Sequence, residues 1–86
     1  MNDEMTVRVT VLEAWDEITL KVPPSTTVHE VKQLALQAVR VIDNPAAFLV
    51  KFRGAELPHE DRTLSQSDIP PDGALIVLRR RRRAVR

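Results

Sequence analysis

Cysteine is absent from this 86-residue chain, glycine occurs only twice, and the aromatic side chains are limited to Trp15, Phe48 and Phe52. Without cysteine there can be no disulfide, no thiolate metal site and no thiol nucleophile, so packing alone must hold the fold. The two glycines, Gly54 and Gly73, stand nineteen residues apart and cannot make a phosphate-cradling loop. With so few rings, the core must be aliphatic. No run of 18 apolar residues exists, and the opening MNDEMTVRV is acidic and lacks the basic start and apolar middle of a signal peptide. A cytoplasmic protein without membrane insertion is expected. Histidine is scarce too: His29 and His59 are single residues with no second ligand at metal spacing. Ser25, Ser65 and Ser67 have no evident base nearby in the sequence, and Glu60-Asp61 reads as solvated loop charge. No catalytic residue, metal ligand or cofactor site is therefore expected, and the chain is read as a non-enzyme.

What is present describes one small domain. The chain is 43% hydrophobic and 29% charged, the balance of a globular rather than a disordered protein. Its net charge of +1 conceals a division. Residues 1–78 carry seven basic and twelve acidic side chains, a balance of −5, while residues 79–86 carry six arginines and no acid, +6. The division predicts an ordered domain over 1–78 and a basic tail over 79–86.

Val7, Val9 and Val11 alternate with Arg8 and Thr10, the period of a strand with one buried face. Ile18, Leu20 and Val22 repeat the pattern beyond the polar stretch Glu13–Glu17, which predicts a hairpin with Trp15 near its tip. There the indole either anchors an interface or packs on the sheet edge. After Pro23-Pro24-Ser25, the segment Thr27-Val28-His29-Glu30 has the form of a capping box. Val28, Val31, Leu34, Ala35, Ala38, Val39 and Ile42 then predict a helix with one apolar face, ended by Asp43-Asn44-Pro45. Leu36 falls off that stripe, and Lys32 is read among the polar residues. Phe48, Val50 and Phe52 alternate with Leu49 and Lys51 as a third strand, and Leu57 is assigned to a short fourth. Leu64 and Ile69 are expected to pin a long loop to the core. Pro70–Gly73 is a turn, after which Leu75 and Val77 face inward and Ile76 and Leu78 outward. A final strand that must lie parallel beside the first gives an α+β fold, a mixed four- to five-stranded sheet packed on one helix, the β-grasp.

Two stretches resemble the ubiquitin family. ITLKVPPSTTVHEVK, Ile18 to Lys32, is similar to its second strand and helix start, and VKFRGAELPHEDRTLSQSDI, Val50 to Ile69, to its third strand, glycine turn and following loop. The second is the specific one: a glycine, a leucine three residues on, Arg-Thr-Leu-Ser, and an isoleucine four residues after that serine. The resemblance implies a recognition patch on the outer sheet face at Leu12, Lys51, Ile76 and Leu78, with Leu49 alongside. It also places a lysine at the patch centre, which should turn away the partners of ordinary ubiquitin. Of the lysines, only Lys21, Lys32 and Lys51 exist, and two familiar chain-linkage positions are occupied by Ala55 and Pro71, so polymers are not expected. Lys32 matches a structural lysine that would pair with an acid in the Glu60-Asp61 region.

Conjugated members of the family end in two glycines, because the terminal carboxylate must thread a narrow channel to be adenylated and passed on as a thioester. Here the tail reads Arg79, Arg80, Arg81, Arg82, Arg83, Ala84, Val85, Arg86. The expected function is therefore a non-enzymatic protein–protein interaction module that works through the outer sheet face and the arginine-rich tail. Free-standing bacterial relatives, including those linked to type VII secretion and to ubiquitination-like operons, imply a secretion-associated or activating-enzyme-like partner, with self-association as a further expectation. The main alternative is a protein modifier with a non-glycine terminus in a bacterial ubiquitination-like pathway. The third is weak, non-specific polyanion binding by the tail, which no aromatic residue would assist by stacking.

Overall fold

Alternating valines, a capped amphipathic segment and a set of tight turns divide the chain into five strands and one helix. The computed structural model describes residues 4–80. In order they are β1 (Met5–Val11), β2 (Asp16–Val22), α1 (Val28–Ala38), β3 (Phe48–Phe52), β4 (Ala55–Glu56) and β5 (Gly73–Arg79), with 3-10 turns at Leu12–Ala14 and Pro45–Ala47. The strands form one mixed sheet in the order β2-β1-β5-β3-β4. β1 and β5 are parallel and the other pairings antiparallel. The fold is α+β, with the sheet packed on one helix, and is compatible with a β-grasp.

One face of the sheet is buried because its side chains alternate. Val7, Val9 and Val11 of β1, Phe48 and Val50 of β3, and Leu75 and Val77 of β5 lie beneath α1. Phe48 is the one aromatic ring in this buried set, so the core is aliphatic as the composition requires. Leu64 and Ile69 are buried with it and fasten the loop between β4 and β5. Leu57 lies just beyond β4, half-buried, and its N–H continues the ladder to the Val50 carbonyl at 2.8 Å.

The helix begins as its sequence dictates. Thr27 Oγ1 accepts from the Glu30 N–H at 3.1 Å, and the Thr27 N–H donates to Glu30 Oε1 at 3.0 Å. Thr63 and Gln66 repeat this reciprocal pair, at 3.0 and 3.1 Å, and a β-bridge joins Thr27 to Thr63. The Glu60–Leu64 segment is thereby strapped across the helix start, with the Val28 and His29 amides donating to the Arg62 and Glu60 carbonyls.

The helix end departs from expectation. α1 stops at Ala38, ahead of the Asp43-Asn44-Pro45 breaker, because Arg40 takes a left-handed φ of 61°. The Arg40 N–H bonds the Gln37 carbonyl at 3.1 Å and the Val41 N–H the Leu36 carbonyl at 2.9 Å, the two bonds of a Schellman cap. Asn44 instead caps the following 3-10 turn, accepting from the Ala46 N–H at 2.9 Å. The buried face is correspondingly different: Val28, Val31, Lys32, Ala35 and Leu36 point inward. Leu36 is a core residue, whereas Leu34 is 40% and Ile42 97% exposed. Ile42 lies beyond the Schellman cap, where helical spacing no longer governs its direction.

Candidate functional site

Strand register decides what the outer face of the sheet displays. Thr10 of β1 is opposite Glu17 on one side and Ile76 on the other, Ile76 is opposite Lys51, and Lys51 is opposite Glu56. One cross-sheet row therefore reads Glu17, Thr10, Ile76, Lys51, Glu56. The next row pairs Leu78 with Leu49. Directly opposed side chains on a sheet lie about 5 Å apart at Cβ, so Leu49, Lys51, Ile76 and Leu78 form one contiguous group. Leu12 follows the end of β1 in the first 3-10 turn, which packs against β5. Ile76 and Leu12 are exposed, while Leu49, Lys51 and Leu78 are half-buried by one another. Four of the five residues assigned to a partner surface thus fall on one face, and Leu12 is exposed in a turn beside β5 rather than on a strand.

The lysine in this group is unpaired among the described residues. Glu56, its cross-strand neighbour, lies 3.5 Å from Arg80 Nη1 instead. An ammonium half-buried between Ile76 and a diverted carboxylate is a free donor beside the aliphatic group of Leu49, Ile76 and Leu78.

The boundary drawn between residues 78 and 79 needs correction, because β5 runs to Arg79 and the ladder continues one residue further. Arg79 is not a solvated tail residue. Its Nη2 and Nε donate to the two carboxylate oxygens of Glu13 at 2.9 and 3.3 Å, its Nη1 donates to Asp43 Oδ2 at 2.9 Å, and its guanidinium lies 4.7 Å from the centroid of the Phe48 ring. Hydrogen bonds from Arg79 hold the Glu13 and Asp43 carboxyls below the usual carboxylate range, that of Asp43 assisted by the Asn44 N–H. The same bonds raise the already high pKa of the guanidinium. Arg80 donates from its backbone N–H to the Ala47 carbonyl at 2.7 Å and from Nε to the Ala46 carbonyl at 3.1 Å. A fork opposite two carboxylates and a ring is what an arginine can satisfy and a lysine cannot. Arg81, Arg82, Arg83 and Arg86 lie outside the described residues.

A second lysine is held inside. Lys32 is 1% exposed, and its Nζ donates to the Phe48 carbonyl at 2.9 Å and to Glu60 Oε1 at 2.6 Å. Glu60 is the acid expected to face it. His29 Nδ1 lies 3.5 Å from the same Oε1, at the rim of the pair. This cluster joins helix, loop and β3, with Lys32 closed off from solvent.

Trp15 settles one alternative. At a φ of 52° on the hairpin tip its indole is 87% exposed, so it does not pack on the sheet edge. Ile42 is more exposed still, at 97%, and stands beside an open cleft of about 470 Å³ between the helix end and the 3-10 turn at Pro45. Helical spacing could not have revealed either. Among the described residues no three His, Asp or Glu side chains gather closely enough to hold a metal ion, and no helix is long and apolar enough to cross a membrane. Neither a protein-family model nor a curated protein sequence matches the chain.

Proposed function

We propose that this protein is a non-enzymatic, ubiquitin-like interaction module of the cytoplasm that recognises a protein partner through the outer face of its sheet. The observation that carries this reading is the gathering of Leu49, Ile76 and Leu78 beside the unpaired Lys51 by strand register, with Leu12 exposed in the adjoining turn. Aliphatic side chains contiguous across neighbouring strands are uncommon on a surface with no partner. Lys51 sets the chemistry of that partner: an apolar contact that also brings a carboxylate, since an ammonium enclosed without one is costly. The resemblance in Ile18 to Lys32 and Val50 to Ile69 supports the same reading, because that family acts mainly through this face.

The test is a paired substitution, Ile76→Asp with Leu78→Asp, in the full chain expressed in its own host. Capture of the partner seen with the unaltered protein should be lost, while the unfolding free energy changes by no more than about 1 kcal/mol for the two changes together. Undiminished capture would defeat the proposal. Intact-mass analysis after incubation with ATP and a host activating enzyme examines the modifier alternative, whose signature is a covalent adduct through the chain's carboxyl group.

A further inference from the structure

The two ends of the β1–β5 pair are chemically opposite. Where both strands begin, Met5, Pro24, Ile69 and Pro70 line an open cleft of about 630 Å³ together with two acidic residues, Glu4 and Asp68. Neither acid makes an ion pair among the described residues. Asp72 follows directly, its N–H bonded to the Thr6 carbonyl at 2.6 Å. Lys21, opposite Thr6 in the β1–β2 ladder, belongs to the other face of the sheet. At the far end of β5, Arg79 and Arg80 are docked and residues 81–86, RRRAVR, follow. Nine basic against twelve acidic side chains leave residues 1–80 at −3, and the four arginines of 81–86 contribute +4.

A cleft with apolar walls and carboxylates suits an arginine run, because a guanidinium stacks flat on apolar surface while its edge pairs with oxygen. The chain's own run cannot supply it. The six rises of β5 separate the cleft from Arg79 by about 20 Å. Three residues beyond Arg80 reach at most about 10 Å, and all six at most about 21 Å. Arg81 to Arg83 therefore cannot touch the cleft of their own molecule. We infer that the cleft at Glu4 and Asp68 receives the arginine run of a second copy, so that the protein self-associates end to end. The inference gives the tail a role beyond the proposed function and is independent of the outer sheet face.

The experiment follows solution mass by analytical ultracentrifugation at low salt for the full chain and two variants, each checked for an unchanged melting temperature. Glu4→Lys with Asp68→Asn removes the acidic cleft, and asparagine is tolerated at the left-handed φ of 59° that Asp68 adopts. Arg81→Glu, Arg82→Glu and Arg83→Glu reverse the tail. The unaltered chain should associate with concentration and lose most of that association in about 1 M salt, where charges are screened within about 3 Å. Each variant alone should associate about tenfold less tightly, roughly 1.4 kcal/mol. An equimolar mixture should recover association, because the basic tail of one variant meets the acidic cleft of the other. A peptide RRRAVR should shift the amide resonances of Met5, Ser65, Asp68 and Ile69 in the unaltered chain. A chain that stays monomeric at low salt, association that survives either variant, a mixture that does not associate, or peptide shifts confined to other surfaces would each overturn the inference. Ile76→Asp with Leu78→Asp should leave this association intact, so its failure and that of the outer-face reading remain separate results.

Discussion

Lys32 and Lys51 both stand among aliphatic side chains, one on each side of the same sheet, and the molecule treats them in opposite ways. On the helix side, Lys32 is enclosed and both of its hydrogen-bonding partners, the Phe48 carbonyl and Glu60, belong to the chain. On the outer side, Lys51 has a carboxylate in register across the strand, yet Glu56 is turned toward Arg80. The same ammonium is a structural tie where its partners are supplied and, in the proposed function, a recognition element where they are withheld. Position along the sequence does not separate the two cases. What separates them is whether a loop is strapped over the lysine, as Glu60–Leu64 is over the helix start.

The largest effect should come from breaking the inner tie. Lys32→Ala leaves a carbonyl and a mostly buried carboxylate without their cation, and should cost about 3 kcal/mol or more, equivalent to at least about 12 °C in melting temperature for a domain of this size. Differential scanning calorimetry checks it, and a loss below about 1 kcal/mol would make Lys32 no more structural than Lys51. The helix around the lysine gives the next contrast. Leu36→Ala should cost about 3 kcal/mol in urea unfolding and Leu34→Ala only about 0.5, because only Leu36 loses core contacts.

Arg79 tests how far a tie at the surface resembles the buried one. The Glu13 and Asp43 carboxyls are more acidic in the folded chain than when unfolded, so the stability they contribute is present above the ordinary carboxylate pKa and is lost as pH falls through their lowered values. Arg79→Gln should therefore lower the urea midpoint at neutral pH, and the gap from the unaltered protein should narrow below about pH 4. A gap that holds constant with pH would assign the effect to packing on Phe48 instead. The smallest effect belongs to the outer lysine: Lys51→Leu should change stability by no more than about 0.5 kcal/mol while altering partner capture.

The strands themselves, the capping box and the outward direction of Ile76 and Leu78 could be read directly from the chain, because period-two alternation and a Thr-x-x-Glu spacing are local signals; of the strand order, only the parallel pairing of the last strand with the first was legible. The helix face was legible only in part. Spacing from Val28 selects Val31, Lys32, Ala35 and Leu36, but a lysine on a buried stripe contradicts the rule that apolar residues mark the core, and the stripe was displaced toward Leu34 and Ile42. The satisfying partner, Glu60, is twenty-eight positions away in a different element. Arg79 was obscured for a related reason: in a run of five identical residues nothing local marks the one whose carboxylates come from Glu13 and Asp43.

Among the described residues, the strand at the centre of the sheet comes after every other element. β1 with β2 and β3 with β4 are hairpins of neighbouring sequence, but no strand pairing joins the two halves of the sheet until Gly73–Arg79 lies between them. Without β5, the inward faces of both hairpins lack the Leu75 and Val77 side chains that fill the space between them beneath the helix. Folding should accordingly be a single late event, and a chain cut short before Leu75 should be a substrate for degradation rather than a weaker version of the same domain.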